Sequence, residues 1–328
     1  MADLAATYMG IPMAGPVVVA ACSLSGRVET IQRIEAAGAG GLVIKSLFEE
    51  QIMAEEVQLK KEERVGAERF PESLTYFPPV DHAGAREHLM WIERTRKVVQ
   101  MPLIGSLNAY TPGGWADYAR QIEQTGVNAL ELNVYAVQTD PDRSGADVEA
   151  ELFDTVSAVI DQVSIPVSVK LSPFYSSVVN IASELDRRGA KGLVLFNRFI
   201  QPDIDPEAEA LRNVMDLSRP AEMRLPLRYV ALLYGKVDAD LAANTGIHTP
   251  DAIVRQILAG AAVVEVASVL YAHDVEYIRT LHDGVDRWMD QKGYRKLTDF
   301  RGKLSQADAP APFAYERAQY VELLMQQV

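Results

Sequence analysis

Eight short apolar runs in this chain end in residues that could do chemistry. Their carboxyl ends read Ala20-Ala21-Cys22, Lys45-Ser46, Asn108, Asn133, Lys170, Asn197-Arg198, Asn244-Thr245-Gly246 and Ala267-Ser268. Two lysines and four asparagines stand there. An asparagine amide both donates and accepts, which suits a heterocycle with alternating N–H and C=O groups. A lysine at such a place either stabilises a developing anion or serves as a Schiff-base nucleophile. One polar residue at a strand end as often only satisfies loop backbone; many on one face point to a site. Gly246 ahead of Thr249-Pro250, and the small pair Ala267-Ser268, match the usual phosphate site of an α/β barrel.

Those ends converge only if the runs are neighbouring parallel strands. The runs cover 16–21, 41–46, 102–107, 128–135, 166–171, 192–197, 240–246 and 263–268, and they are predominantly apolar on both faces. Such strands belong in a parallel sheet covered on its outside by helices. Helical spacing falls between them over 27–38, 83–99, 114–126, 146–164, 176–189, 226–235 and 249–260. Thr249 reads as the N-cap of the last of these, with Pro250 at its first position. A long final helix ends near Lys292. Eight such units predict an α/β fold, a single-domain (β/α)8 TIM barrel. An open doubly wound sheet is the alternative, but the first turn lacks GxGxxG.

Three stretches fall outside the repeat. Residues 49–65 are strongly charged and predict a solvated helix or loop. Residues 70–82 hold Pro71, Pro78 and Pro79 among aromatics and predict a long, ordered, lid-like loop. A long loop with Arg212, Arg219 and Arg224 follows Asn197. The barrel is expected over 1–304 and a C-terminal extension over 305–328. Within that extension Ala309-Pro310-Ala311-Pro312 is a linker, and Tyr315 to Met325 has helical spacing that suits docking on the barrel or on a second subunit.

Composition narrows the class. The chain has 328 residues, 48% hydrophobic and 23% charged, with a net charge of −13. No block of five or six basic residues offsets that charge, which argues against nucleic acid or an anionic membrane as partner. Cys22 is the single cysteine, so no intrachain disulfide, CxxC motif or cysteine-ligated metal is expected, and a reducing cytoplasm is compatible. The start has no basic region followed by an apolar one, and no apolar run approaches the ~18 residues of a membrane span. A small-molecule site in a cytoplasmic protein is the expectation.

At this point the residues resemble a family. Pro16 to Lys45, Glu131-Leu132-Asn133, Val169-Lys170-Leu171-Ser172-Pro173, Ile204-Asp205-Pro206-Glu207-Ala208-Glu209, and Gln291-Lys292-Gly293-Tyr294 through Asp299-Phe300-Arg301-Gly302-Lys303-Leu304 are similar to segments of dihydroorotate dehydrogenases, above all the soluble FMN-containing class 1A enzymes. The resemblance implies FMN in the barrel mouth and a homodimer. It implies that Ala20 and Ala21 line the flavin and that Lys45, Asn133 and Lys170 contact its ring or ribityl chain. It also implies that Asn244 belongs to the cofactor site and that Gly246, Ala267 and Ser268 hold the phosphate. The family pattern has more glycine at the phosphate turns, where Thr245 and Ala267 stand here. Cys22 replaces a small residue and reads as a buried, inert thiol.

The substrate half departs further. Where the family carries a catalytic Cys or Ser, then Pro and a substrate-binding Asn, this chain has Ala136, Val137 and Gln138. Alanine cannot remove a carbon-bound proton. Asn197 matches a substrate Asn but is followed by Arg198, which with Arg219 or Arg224 could clamp an anion. Tyr135 and His248 are conceivable replacement bases. The expectation is an FMN-dependent oxidoreductase acting on a CH–CH group of a small anionic or heterocyclic substrate other than dihydroorotate, with Lys170 and Tyr135 as catalytic candidates and Asn197, Arg198 and Gln138 on the substrate. The alternatives are a dihydroorotate dehydrogenase with a replacement base, a flavin-binding protein without turnover, and a Schiff-base lyase using Lys170.

Overall fold

The computed structural model describes residues 2–48, 85–109, 115–134, 137–212, 214–316 and 318–325. Its chain begins with a hairpin of β1 (Ala6–Tyr8) and β2 (Ile11–Met13). Eight parallel strands follow: β3 (Val17–Val19), β4 (Gly41–Val43), β6 (Leu103–Ala109), β7 (Ala129–Val134), β8 (Val167–Leu171), β9 (Gly192–Leu195), β12 (Asp240–Asn244) and β13 (Val263–Val266). β13 pairs with β3 and β4 pairs with β6, so the sheet closes on itself. The predicted (β/α)8 barrel is therefore present, with every predicted strand in place. The short β5 (Leu47–Phe48) continues the line of β4 along β6.

Helices α1 (Val28–Ala36), α2 (Ala85–Arg96), α3 (Trp115–Gln124), α4 (Gly145–Ile160), α5 (Val178–Arg187), α6 (Arg224–Leu233), α7 (Pro250–Ala259), the short α8 (Ser268–Ala272) and α9 (Tyr277–Lys292) lie between or after the strands. Each buries one stripe, as Ile31 and Ile34 do in α1 and Ile181, Ala182 and Leu185 in α5. Their starts are encoded locally. Ser144 and Asp147 form a reciprocal capping box on α4, and Thr249 Oγ1 accepts from the Ala252 N–H at 3.3 Å with Pro250 next in line. Such a cap contributes roughly 1 kcal/mol.

Inside the barrel the side chains stack in layers. Val18, Val43, Ile104, Ala129, Val194, Ala242 and Val263 form one apolar layer, packed from below by Tyr8, Met9 and Met13 of the hairpin. The hairpin thus plugs the amino end of the barrel. Gly192 is required for this: a Cβ there would lie 2.7 Å from the Tyr8 hydroxyl and 2.9 Å from Ser168 Cβ. Alternation places the residues two further along, among them Ala20, Ser106, Glu131, Asn244 and Glu265, in the next layer, nearer the carboxyl ends; on the β4–β5 line an extra residue between Val43 and Leu47 puts Ser46 there.

The long loop after Asn197 contains a second hairpin, β10 (Asp203–Asp205) with β11 (Ala210–Arg212), where the sequence pattern predicts only a loop. The chain after α9 folds back on α6 and α7. Gly302 and Leu304 donate to Ile257 and Leu258 carbonyls, Gln306 N donates to Ala231 O at 2.9 Å, and the Tyr315 hydroxyl donates to Leu304 O. A short helix, α10 (Ala318–Met325), follows. The predicted solvated segment 49–65 and lid 70–82 lie outside the described residues. Among the described residues no helix is long and apolar enough to cross a membrane, and no group of three His, Cys, Asp or Glu residues is placed to hold a metal ion.

Candidate active site at the barrel mouth

A cavity opens at the carboxyl ends of β3, β8, β9, β12 and β13. Ala20, Ala21, Lys170, Asn197, Arg198, Asn244, Gly246, Ala267 and Ser268 all line it, so nine of the residues picked out in the sequence meet there. Lys45 and Asn133 sit beside it on the neighbouring strands. The β-ladder sets Asn133 opposite Lys170 on one side and opposite Asn108 on the other. Tyr135 and Ala136 lie outside the described residues.

Each strand end is fixed by its neighbours. The Lys45 N–H donates to Ser25 Oγ at 2.8 Å, and its carbonyl accepts from His88 Nε2 at 2.8 Å. Ser46 Oγ meets Ser106 Oγ at 2.8 Å inside the barrel, with Asn133 Nδ2 at 3.5 Å. Asn133 Oδ1 is buried and has no hydrogen-bond partner among the described residues. An orphaned buried carbonyl costs about 1–3 kcal/mol unless a ligand donor meets it. Asn244 Nδ2 donates to Phe196 O at 2.9 Å, tying the end of β12 to that of β9.

Lys170 is the most constrained charge in the cavity. Its Nζ lies 2.7 Å from Glu265 Oε2 and 3.4 Å from Glu131 Oε1. The lysine side chain is 4% exposed and both carboxylates 0%. The two carboxylates hold the ammonium well above its ordinary value against the opposing cost of burial. Burial, and then the Glu265 charge, push Glu131 well above the carboxylate range. Below the pair, burial and the same two glutamates raise the Tyr8 phenol. Glu131 and Glu265 were not among the predicted site residues. The signal was there: each is the one acid of a largely apolar strand, in register with an interior residue.

The turn after β12 is strained where Thr245 stands in place of the family pattern's glycine. Thr245 has φ +80° and Gly246 φ +76°, both left-handed. Thr245 is β-branched, so its conformation costs about 1–3 kcal/mol and is held by the surroundings. One restraint is its own hydroxyl, which donates to Phe196 O at 3.2 Å. The Gly246 N–H donates to Ser218 Oγ at 3.3 Å, and Ser218 Oγ meets His248 Nε2 at 3.0 Å. The Ser218 N–H in turn donates to Ser268 Oγ at 3.0 Å. Ser218 thus joins both expected phosphate turns, a role the sequence did not reveal. Burial lowers the pKa of His248, a candidate base that here supports the loop.

Arg198 and Gln138 are placed differently from a shared substrate clamp. Arg198 donates to the carbonyls of Asp216 and Leu217 and, from Nε at 3.3 Å, to Glu222. It lines the cavity while fastening the loop that carries Ser218. Gln138 is exposed, and its Oε1 accepts from Arg143 at 3.4 Å. It borders a second, apolar cavity walled by Val134, Leu152, Phe174, Tyr175, Phe199 and Ile200. Among the described residues no one cavity is lined by both Asn197 and Gln138; Ile200 lines the first and the second and so separates them. Cys22 lines the first cavity half-buried, and burial pushes its thiol up, which fits an inert cysteine.

Known proteins resemble the chain over most of its length. Residues 79–289 match the profile of a family described as dihydroorotate dehydrogenase. A candidate dihydroorotate dehydrogenase A (fumarate) of Aeropyrum pernix is 31% identical over 227 residues, covering 67% of this chain and 72% of that protein. The dihydroorotate dehydrogenase B (NAD(+)) catalytic subunit of Thermoplasma acidophilum is 26% identical over 312 residues, 92% of this chain and 99% of its own. Its counterpart in Pyrococcus abyssi is 25% identical over 307 residues, 91% and 98%.

Proposed function

The chain belongs to the dihydroorotate dehydrogenase family, and from that premise we propose that it is an FMN-dependent oxidoreductase acting on the CH–CH group of a small anionic or heterocyclic substrate other than dihydroorotate. Family membership supports the oxidoreductase class. The cofactor, the substrate and the residue roles are our reading.

The residues present fit FMN. The observation that carries the fit is the buried Asn133 Oδ1, which lacks a donor and stands in register with Lys170. A ring with N–H groups would supply that donor. Ala20 and Ala21 keep one wall free of bulk, Lys170 puts an ammonium at the cavity, and Lys45 would bring a second from the end of the neighbouring β4. Asn244, Gly246, Ala267 and Ser268, braced by Ser218, would hold the phosphate end through the turns after β12 and β13. When bound, FMN would supply the hydride acceptor.

The chain's own residues limit what the site does to a proton. Ala136, at the position where the family carries a base, has no atom that accepts one. His248 Nε2 is committed to Ser218. Tyr135 is the remaining candidate, and its phenol would need activation. Asn197 is the substrate contact best placed in the cavity; Arg198 serves through the loop it fastens.

The proposed assembly is a homodimer in the cytoplasm, with the barrel over 1–304 and the extension over 305–328. The test is an absorbance spectrum of the purified protein, then anaerobic addition of dihydroorotate. A yellow protein whose flavin band dihydroorotate leaves unchanged, and another small donor bleaches, is expected. Fast bleaching by dihydroorotate would establish the second reading, a dihydroorotate dehydrogenase with a replacement base, which the relatives' names favour.

A further inference from the structure

At the floor of the cavity one ammonium, 4% exposed, meets two carboxyl groups whose side chains are fully buried. Lys170 contacts Glu265 at 2.7 Å and Glu131 at 3.4 Å, while Glu131 Oε2 and Glu265 Oε1 have no partner among the described residues in the hydrogen-bond geometry of two carboxylates. Lys170 and Glu265 line the cavity; Glu131 lies behind them. A buried ion is tolerated only when paired. One lysine pairs one carboxylate. The second, if ionised, would repel the first with nothing to offset it.

We propose that Glu131 and Glu265 hold a single shared proton, so that with Lys170 they form an electrically neutral floor, and that Glu265 is a positioning residue which keeps Lys170 from presenting a free positive charge to whatever sits above it. Glu265 has the shorter contact with Lys170 and carries the charge; Glu131 carries the proton. Glu265 is also close enough to Glu131 for a side-chain hydrogen bond, which a protonated carboxyl can donate. The other titratable groups facing the pair are Tyr8 from below, beyond which stands Asp240, and Cys22 beside Lys170 above. None of them supplies a second cation. The consequence for catalysis rests on FMN as the group above: an anion forming there must compete with Glu265 for Lys170.

Infrared spectroscopy of the wild-type protein at mildly alkaline pH tests the shared proton. The carbonyl stretch of a protonated buried carboxyl, shifted in D2O, is expected in the wild type. It is expected to vanish in Glu131→Gln and equally in Glu265→Gln, because the one acid left ionises against Lys170. Absence of the band in the wild type, or its persistence in both variants, would overturn the proposal. Either variant alone suffices if the other does not fold.

The consequence is read with sulfite, whose addition to bound FMN places a negative charge over the floor. Each single variant keeps one carboxylate on Lys170, so sulfite affinity should stay within about threefold of wild type. The double variant frees Lys170, and affinity should rise at least about tenfold. A double variant no different from wild type refutes the positioning role. A protein that takes up no FMN refutes the cofactor reading, and the infrared band still decides the charge of the floor.

Discussion

Ser218 Oγ lies 3.0 Å from His248 Nε2, and this contact joins the loop after β9 to the turn after β12. Through the Gly246 N–H and Ser268 Oγ, the same serine touches both turns assigned to the phosphate. Ser218→Ala and His248→Ala should each weaken FMN binding about two- to tenfold, the worth of one hydrogen bond. The double variant should be little worse than Ser218→Ala alone, since that change already removes the His248 contact together with the Gly246 N–H bond. Fluorescence titration of apoprotein with FMN measures all three; fully additive losses would mean the two residues act separately.

Arg198 gives a contrasting case. Its N–H groups go to Asp216, Leu217 and Glu222, the segment that delivers Ser218. Arg198→Ala should therefore lower FMN affinity as well as substrate affinity. An effect on the substrate KM alone, with FMN retention unchanged, would restore Arg198 as a plain anion clamp.

Much of this was legible in the residues. Continuous apolar strands such as Val263–Val266 and capped helices such as α7 carry local signals that agree with the global fold. The nine cavity residues followed from one rule, that parallel strands aim their carboxyl ends at a common mouth. What escaped depends on contacts distant in sequence. The Tyr8 plug is explained only by Gly192, and Ser218 acquires its role from His248 and Ser268. Gln138 follows Asn133 closely in the chain yet borders a different cavity, because the segment leaves the sheet. The hairpin β10–β11 is exposed on both strands and has no buried face to write a period into the sequence.

Thr245 tests the cost of placing a branched residue where the backbone is left-handed. Its φ is +80°, and its hydroxyl bonds Phe196 O. Thr245→Ala loses the bond and keeps the strain; Thr245→Gly loses the bond and sheds the strain. The glycine variant should be more stable than the alanine variant by about 1 kcal/mol in chemical denaturation. The reverse order would show that the backbone relaxes when the side chain is removed.

His282 sets a pH dependence remote from the site. Its Nε2 is buried without a partner among the described residues, and its ring fills the space beside Gly15. Burial lowers its pKa from 6.5 to about 4, with Asp283 opposing. Between those values the unfolded chain binds the proton and the folded one does not. Stability from this group is therefore full above pH 6.5 and is lost as pH falls towards 4. The loss is on the order of 3 kcal/mol. His282→Leu should flatten the Tm profile over that window relative to wild type, and parallel profiles would refute the assignment.

Ala136 is the sharpest departure from the family, and restoring a base there separates a missing group from a changed pocket. A cysteine at this position would have an ordinary thiol pKa of ~8.5 and would be mostly thiolate at about pH 9. If the base were all that this chain lacks, Ala136→Cys would bleach the flavin band with dihydroorotate at a rate that climbs with that ionisation. The surrounding residues argue otherwise. Gln138 is exposed and bonded to Arg143, it lines no cavity that Asn197 lines, and Arg198 is spent on its own loop. The hooks that would present a dihydropyrimidine to residue 136 are thus not gathered in one place. The expected result is no gain in bleaching from about pH 6 to about pH 9. A rate that rises through the thiol pKa would show a pocket still shaped for dihydroorotate, with Ala136 its only obstacle.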